Sequence, residues 1–489
     1  MNVTTLGAGR TVTGSAHLVE TAGKRVLLDF GLYQGRRDES RMLNEQIPDE
    51  IRSVDAVVLS HGHLDHCGRL PLLVKAGFRG KIYATAATRD VVRVVLEDSA
   101  KIQEEDATYL NRRGGRDDQR EMRAIKPLYT GKDVAALMSR FETIDYGRQQ
   151  EIASGLTATI YDAGHVLGSG YVVLEYEETR CRKRLLFTGD IGRPGSAILR
   201  DPHPLPFAVD HVITESTYGT VKHAPIGGVG PAMVAAVRET AERGGRVIFP
   251  AFAVGRTQTL LYFLLGAMDR KELARIPIFV DSPMGVEMSR VTEAHRGLFD
   301  VDALKLMRGG KLFDEEFVKL CVSREESMAI NEQRGPCVVI ASSPTCEFGR
   351  VLHHLKRSVE NPKDMILFNG FTPGNTLGRK LQDGARQVRI LDRMYERRCQ
   401  VRTTHGLSAH ADGEELLRFL APTIRPETTA TVVHGEADRV DGFAARLIQA
   451  GMLTAVAPAM GTHVIFGLPW CDIGPAGVQD DGRVGAVDE

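Results

Sequence analysis

The chain opens with short stretches in which apolar and polar positions alternate. Residues 16–30 read AHLVETAGKRVLLDF, two runs of strand character parted by Ala-Gly, and this pattern predicts a β-hairpin. VDAVVLS (54–60) is apolar almost throughout and ends at a polar cluster, as a buried strand does, and LDHCGRLPLLVKAG (64–77) has the spacing of a short helix with Gly77 near its end. Residues 88–125 read as helical and increasingly charged, with a break predicted at Gly114-Gly115. Strand-like pieces return at 156–160, 171–176 and 184–187, and a proline-rich connector, DPHPLPFAVDH, leads to the strand HVITEST.

Further on the pattern changes character. GGRVIFPAFAVGRTQTLLYFLL (244–265) is a strand, a glycine-bounded loop and a helix; IPIFVDSPMG, PCVVIASS and DMILFNGF repeat the strand-then-loop pattern. That alternation predicts a second, parallel-type sheet between about 220 and 400. The residues after Phe466 are rich in Gly and Asp and predict a partly flexible tail. The early stretch LGAGRTVTG misses the G-x-G-x-x-G spacing and is followed by a strand, so it is not read as a dinucleotide loop.

With 489 residues the chain has room for two or more cores. Its 62 Lys+Arg against 63 Asp+Glu give a net charge of −1, so any site for a polyanion must be local. No run approaches the length of a membrane span and the N-terminus lacks a signal-like pattern, which predicts no membrane association and a cytoplasmic location. Seven cysteines without a C-x-x-C pair predict reduced core residues, not a disulfide framework.

The chemistry is concentrated in SHGHLDHCG (60–68), where His61, His63, Asp65 and His66 form H-x-H-x-D-H at the exit of the 54–60 strand. Imidazole and carboxylate without thiolate favour zinc, with manganese as the alternative. One short loop cannot wrap an ion by itself, so more distant donors are expected. His165 in AGHVLGSG, Asp190 in FTGDIG and His434 in VVHGEAD each follow an apolar run and adjoin glycine.

In this order the stretches resemble the metallo-β-lactamase superfamily, an αββα sandwich with a two-metal site at one edge of its sheets. The resemblance implies two zinc ions per chain: His61, His63 and His165 at one, Asp65, His66 and His434 at the other, and Asp190 bridging them. Asp29 in LLDFG matches the superfamily's early aspartate, which supports a ligand from behind. An H-x-E-x-D pattern, which would suggest a di-iron flavoprotein, is absent.

About half of the chain separates Asp190 from His434, too much for a loop within a compact sandwich. A domain inserted there resembles the β-CASP group of nucleases, which includes the nuclease subunit of the pre-mRNA 3′-end cleavage complex and RNase J. The stretches that carry the resemblance are ITESTYG with Glu215, GLSAHAD with His410, VVHGEAD with His434, and FPAFAVGRTQ, FGRVLHHLK and TLGRKLQDGA. Histidine at the third of these positions is associated in this group with RNA.

The fold implied is α/β: a metallo-β-lactamase domain over 1–219 and 401–466, an inserted α/β β-CASP domain over 220–400, and a tail over 467–489. The activity implied is that of a metal-dependent ribonuclease, endonucleolytic or trimming from the 5′ end, which hydrolyses single-stranded RNA through a hydroxide held between two metals. In it Asp65 serves the metal site, His410 protonates the leaving oxygen and Glu215 fixes the tautomer of His410. Arg256, Arg379 and Ser408 are the candidate phosphate contacts. Of the neighbours His353 and His354 on a predicted helix, only one can face the cleft, and a structural role fits them as well as a phosphate contact. A homodimer is compatible with the resemblance.

The chain departs from its relatives at IASSPTCEFGR (340–350). Ser343-Pro344 replaces a flexible glycine stretch and Phe348 replaces a glycine, which predicts a stiffer loop beside the RNA groove. Basic residues at 112–126 (Arg112, Arg113, Arg116, Arg120, Arg123, Lys126) are interleaved with Asp117, Asp118 and Glu121 and read as a solvated face. Two alternatives share the metal ligands. One is a hydrolase of a small ester, which needs no inserted domain; the other is a non-catalytic RNA-binding subunit, against which the seven filled ligand positions count.

Overall fold

The computed structural model describes residues 1–35, 37–117, 124–178, 180–306, 316–370, 372–466 and 472–475. The chain first lays down six strands: β1 (Asn2–Gly7), β2 (Ala16–Thr21), β3 (Lys24–Leu28), β4 (Ala56–Val58), β5 (Lys81–Ala84) and β6 (Phe141–Thr143). β2 and β3 form the predicted hairpin, and Ala22 and Gly23 both have positive φ (50° and 69°), the twist that a two-residue connection requires. Five strands of a second sheet follow: β7 (Gln149–Ala153), β8 (Leu156–Asp162), β9 (Gly170–Glu178), β10 (Cys181–Phe187) and β11 (His211–Thr214).

The chain then leaves these sheets for a third. β12 (Arg246–Pro250), β13 (Ile278–Asp281), β14 (Val318–Leu320), β15 (Cys337–Ala341) and β16 (Met365–Phe368) are joined by β19 (Gln400–Thr403), after the separate hairpin β17 (Gln387–Ile390) and β18 (Arg393–Glu396). Every pairing in the third sheet is parallel, and its order is β14-β13-β15-β12-β16-β19. β20 (Thr429–Val432) and β21 (Thr454–Val456) return to the second sheet, where β20 pairs parallel with β11. β22 (Thr462–Ile465) and β23 (Asp472–Pro475) complete the first.

Side-chain alternation assigns the layers. Ala56 and Val58 of β4 enter a core shared with Val172 and Leu174 of β9, whereas Val57 points to the opposite face, against helix Ala86–Asp117. Val173 and Leu186 face helices Gly413–Leu420 and Ala437–Ala450. Both sheets are therefore covered on both faces, which is why their strands read as nearly continuous apolar runs, and the layers run α, β, β, α. The third sheet has its own two cores, one on each face.

Two expectations change. The helix starts at Ala86 and runs through Gly114-Gly115 to Asp117 without a break. A pair of interior glycines costs only about 2 kcal/mol, and Asn111 pins the returning chain with both a donated and an accepted hydrogen bond to Ile125 (2.9 and 2.8 Å). In the tail, Asp472–Pro475 pair antiparallel with β22; residues 467–471 and 476–489 lie outside the described residues. Arg120 and Arg123, and the side chains of Arg113 and Arg116, also lie outside them.

Candidate metal centre

Each predicted donor lies just beyond the end of a strand, Asp65 and His66 in the short helix Leu64–Cys67 and the others in loops. His61, His63, Asp65 and His66 follow β4, His165 follows β8, Asp190 follows β10 and His434 follows β20. The loops approach closely because glycine lets them: a Cβ on Gly31 would lie 1.6 Å from the carbonyl oxygen of Asp65.

The side chains converge as two sets. His61 Nε2 and His63 Nδ1 are 3.0 Å apart, His165 Nε2 and His63 Nδ1 3.3 Å, and Asp190 Oδ2 lies 3.5 Å from both His61 and His165. In the second set, His66 Nε2 and His434 Nε2 are 3.1 Å apart and Asp65 Oδ2 is 3.6 Å from His434. The other oxygen of Asp190, Oδ1, is 3.4 Å from His66 and 3.5 Å from His434. Donor atoms around a tetrahedral zinc ion are separated by about 3.3 Å, so these spacings fit such ions. The fit has an independent sign: buried Asp190 Oδ1 has no hydrogen-bond partner, a costly state for a carboxylate unless a cation takes it up.

Electrostatics agree with the donor geometry. Burial, reinforced by neighbouring imidazoles, holds His61 and His165 well below the usual histidine pKa, leaving lone pairs available. Burial disfavours the ionised form of Asp190, but His434, His66 and His410 outweigh it and hold its carboxyl well below the ordinary range. Burial also opposes a charge on His66, yet Asp190 and Asp29 raise its pKa well above normal.

The ligand rings are held from behind. Asp29 Oδ2 is 2.6 Å from His66 Nδ1 and accepts from Ser60 Oγ, while its Oδ1 accepts from the Ser60 backbone N–H. His165 Nδ1 lies 3.2 Å from the Ala409 carbonyl and His434 Nδ1 3.1 Å from Thr217 Oγ1. For His66 and His165 the opposite ring nitrogen faces the cluster; in His434, Nε2 meets His66 while Nδ1 lies between Thr217 and Asp190 Oδ1.

His410 stands over the same carboxylate, 3.9 Å from Asp190 Oδ2. Its Nδ1 is 3.2 Å from Glu215 Oε2, and Glu215 is fixed by accepting the Ile191 N–H at 2.6 Å. Burial lowers the pKa of His410, but Glu215 and Asp190 overcome it and raise the value to about 9. The side chains of His410 and Asp65 are 20% and 23% exposed, against 1% for Asp190, so the site opens to solvent on their side.

The candidate phosphate contacts divide. Ser408 Oγ accepts the His410 N–H at 3.2 Å and is part of that loop. Arg256 Nη2 donates to the Leu407 carbonyl at 2.5 Å, which ties the third sheet's domain to the His410 loop; burial lowers its pKa to about 10. Arg379 pairs with Asp383 along the helix Leu377–Gln382 and is not brought to the metal centre by any of these contacts. Of the neighbouring histidines, His354 is buried and bonds Asp281 at 2.7 Å, a structural position, while His353 is exposed. The basic run at 182–184 is consumed in ion pairs with Glu175 and Asp210.

Sequence reasoning missed Arg193. Its buried guanidinium donates to the carbonyls of Ala224 (2.6 Å) and Gly406 (3.0 Å) and lies 3.4 Å from Glu415, so it clamps both chain crossings between sandwich and inserted domain. Only its position in GDIGR, three residues past Asp190, could have drawn attention to it.

Comparison with known proteins places the same segments in families. The metallo-beta-lactamase superfamily matches residues 9–229, the Beta-Casp domain 257–381, and the Zn-dependent metallo-hydrolase RNA specificity domain 394–458. Ribonuclease TTHA0252 of Thermus thermophilus is 34% identical over 90% of this chain and 94% of its own. The transcription termination factor FttA of Methanocaldococcus jannaschii is 29% identical over 91% of this chain and 68% of its own, and that organism's RNase J-like protein 28% over 91% and 94%. A crystal structure of a protein of unknown function from Enterococcus faecalis V583 shares the fold over 95% of this chain at a TM-score of 0.54 and 11% identity.

Proposed function

The chain belongs to the β-CASP group of the metallo-β-lactamase superfamily, and from that membership we propose that it is a zinc-dependent ribonuclease that hydrolyses phosphodiesters of single-stranded RNA. The observation that carries the proposal is Asp190, whose two oxygens face two separate donor sets while His410 and Glu215 stand over it. His61, His63 and His165 would hold one zinc ion, Asp65, His66 and His434 the other, with Asp190 shared. Two such ions, when bound, supply a hydroxide nucleophile at neutral pH and charge that polarises the phosphate.

The chain's own residues do the rest. Glu215 fixes the His410 proton on Nδ1, leaving Nε2 to carry a second proton toward the open side, where a leaving 3′-oxygen can take it. Asp29 and Ser60 hold His66 in orientation, and Ala409 does the same for His165. Product ends would be 5′-phosphate and 3′-hydroxyl. Ribonuclease TTHA0252 and the RNase J-like relative support RNA as the substrate.

The test is an end-labelled, unstructured RNA incubated with zinc-loaded protein and resolved on a denaturing gel, beside Asp65→Ala and a DNA of matching sequence. Cleavage of RNA that disappears in the variant is the expected result, and the ladder separates internal cuts from end-trimming. An intact RNA beside a parent shown to carry its zinc would refute the proposal.

A further inference from the structure

Two exposed aromatic rings of the inserted domain have no part in the chemistry above. Phe252 and Phe348 are 62% and 61% exposed, and no other phenylalanine among the described residues is classed as exposed. They follow neighbouring strands of the third sheet. β12 and β15 run parallel, with Pro250 opposite Ala341, and the Ala251 N–H continues the pairing to the Ala341 carbonyl at 3.0 Å. Both rings thus emerge from the carboxyl edge of that sheet, where ligands of parallel α/β sheets bind.

At the end of β12 this edge approaches the loops of the metal centre. The loop that bears Phe252 continues through Gly255, where a Cβ would lie 3.8 Å from Val166, the residue after His165. One residue later Arg256 holds the Leu407 carbonyl, three residues before His410.

Neither ring is on a slack segment. The Phe252 carbonyl accepts from the N–H and the hydroxyl of Thr257 (3.2 and 2.9 Å). Around Phe348, Cys346 and Leu352 are buried, Glu347 accepts the Leu377 N–H, and the Val351 N–H returns to the Ser342 carbonyl, which folds the loop back onto the end of β15. Phe348 thus sits on the same loop as Ser343-Pro344, tied at both ends by these bonds. A solvated aromatic on a well-anchored backbone has the properties of a base-stacking platform: every base has a π-face, and little backbone ordering remains to be lost on binding.

We propose that Phe252 and Phe348 are stacking positions for unpaired bases of the RNA strand on the inserted-domain side of the cleaved phosphate. The inference rests on the ribonuclease reading and adds how the strand is gripped. Bases in a duplex present no free face, so the two rings select single strands without reading sequence.

The test measures KM and kcat of zinc-loaded parent, Phe252→Ala, Phe348→Ala and the corresponding Phe→Trp variants. Substrates are an unstructured oligoribonucleotide and a series carrying one abasic nucleotide at each position in turn. Each alanine variant should raise KM on intact RNA by roughly 5- to 150-fold with kcat little changed. Each should also abolish the penalty of one abasic position seen in the parent, and Trp should restore both. A parent that cleaves RNA while both alanine variants keep its KM, or keep its abasic profile, overturns the stacking proposal and leaves the nuclease standing. A zinc-loaded parent that cleaves no RNA overturns the ribonuclease reading and the stacking sites together.

Discussion

Replacing Glu215 by Gln removes one charge and keeps the shape. In the parent, the two carboxylate oxygens accept the Ile191 N–H and the His410 Nδ1–H. A Gln oxygen can satisfy Ile191, but its NH2 group then meets Nδ1, which favours Nδ1 as an acceptor and disfavours the doubly protonated ring. An opposite charge at this distance is worth about 1–3 pKa units, so His410 should fall from about 9 to between roughly 6 and 8. Because its pKa is higher in the folded chain than the unfolded value of 6.5, the charged ring stabilises the fold fully below that value and loses the contribution as pH rises through about 9. The full contribution is roughly 3 kcal/mol, of which the variant forfeits about 1–3 kcal/mol. Histidine NMR titration of the metal-free proteins gives the pKa directly, and urea unfolding from pH 6 to 10 gives the difference in stability. A His410 pKa within about half a unit of the parent's in the variant would refute the assigned coupling.

Two further outcomes follow from contacts behind the site. Asp29→Asn keeps the fold but deprives His66 Nδ1 of its charged partner, and zinc affinity by competition with a chromogenic chelator should drop about 10- to 100-fold. His354→Ala removes one of the partners of buried Asp281, which keeps Arg350 and Ser327, and should cost about 1–3 kcal/mol in the inserted domain, while zinc content by mass spectrometry stays at the parent's level.

Much of the site could be read because ligand chemistry has residue types. Histidine and aspartate at strand ends beside glycine are visible in one dimension, and SHGHLDHCG announced the rest. Strands such as YVVLEY were legible as strands from their largely apolar run, whereas the αββα layering came only from the resemblance carried by the ligand motifs. What escaped detection is supplied by backbone. The carbonyls of Ala409, Ala224 and Gly406 orient His165 and anchor Arg193, yet any residue has a carbonyl. Arg256 and Arg379 show the converse: a phosphate-binding residue type beside glycine is legible, but its contacts to the Leu407 carbonyl and to Asp383 are not. Gly114-Gly115 misled because local propensity is weak against a long helix pinned at Asn111.

The parallel pair β11 and β20 lies side by side in space and half the chain apart in sequence. On the ribosome, His61, His63, His165 and Asp190 emerge before the inserted domain, and His434 only after it. At ordinary elongation rates the interval is roughly 10–50 s. Throughout it the nascent chain owns one complete donor set and an unfinished second, and the inserted domain has time to fold as a unit. The first donor set is therefore complete in sequence long before the second, which closes only when the return segment docks beside β11.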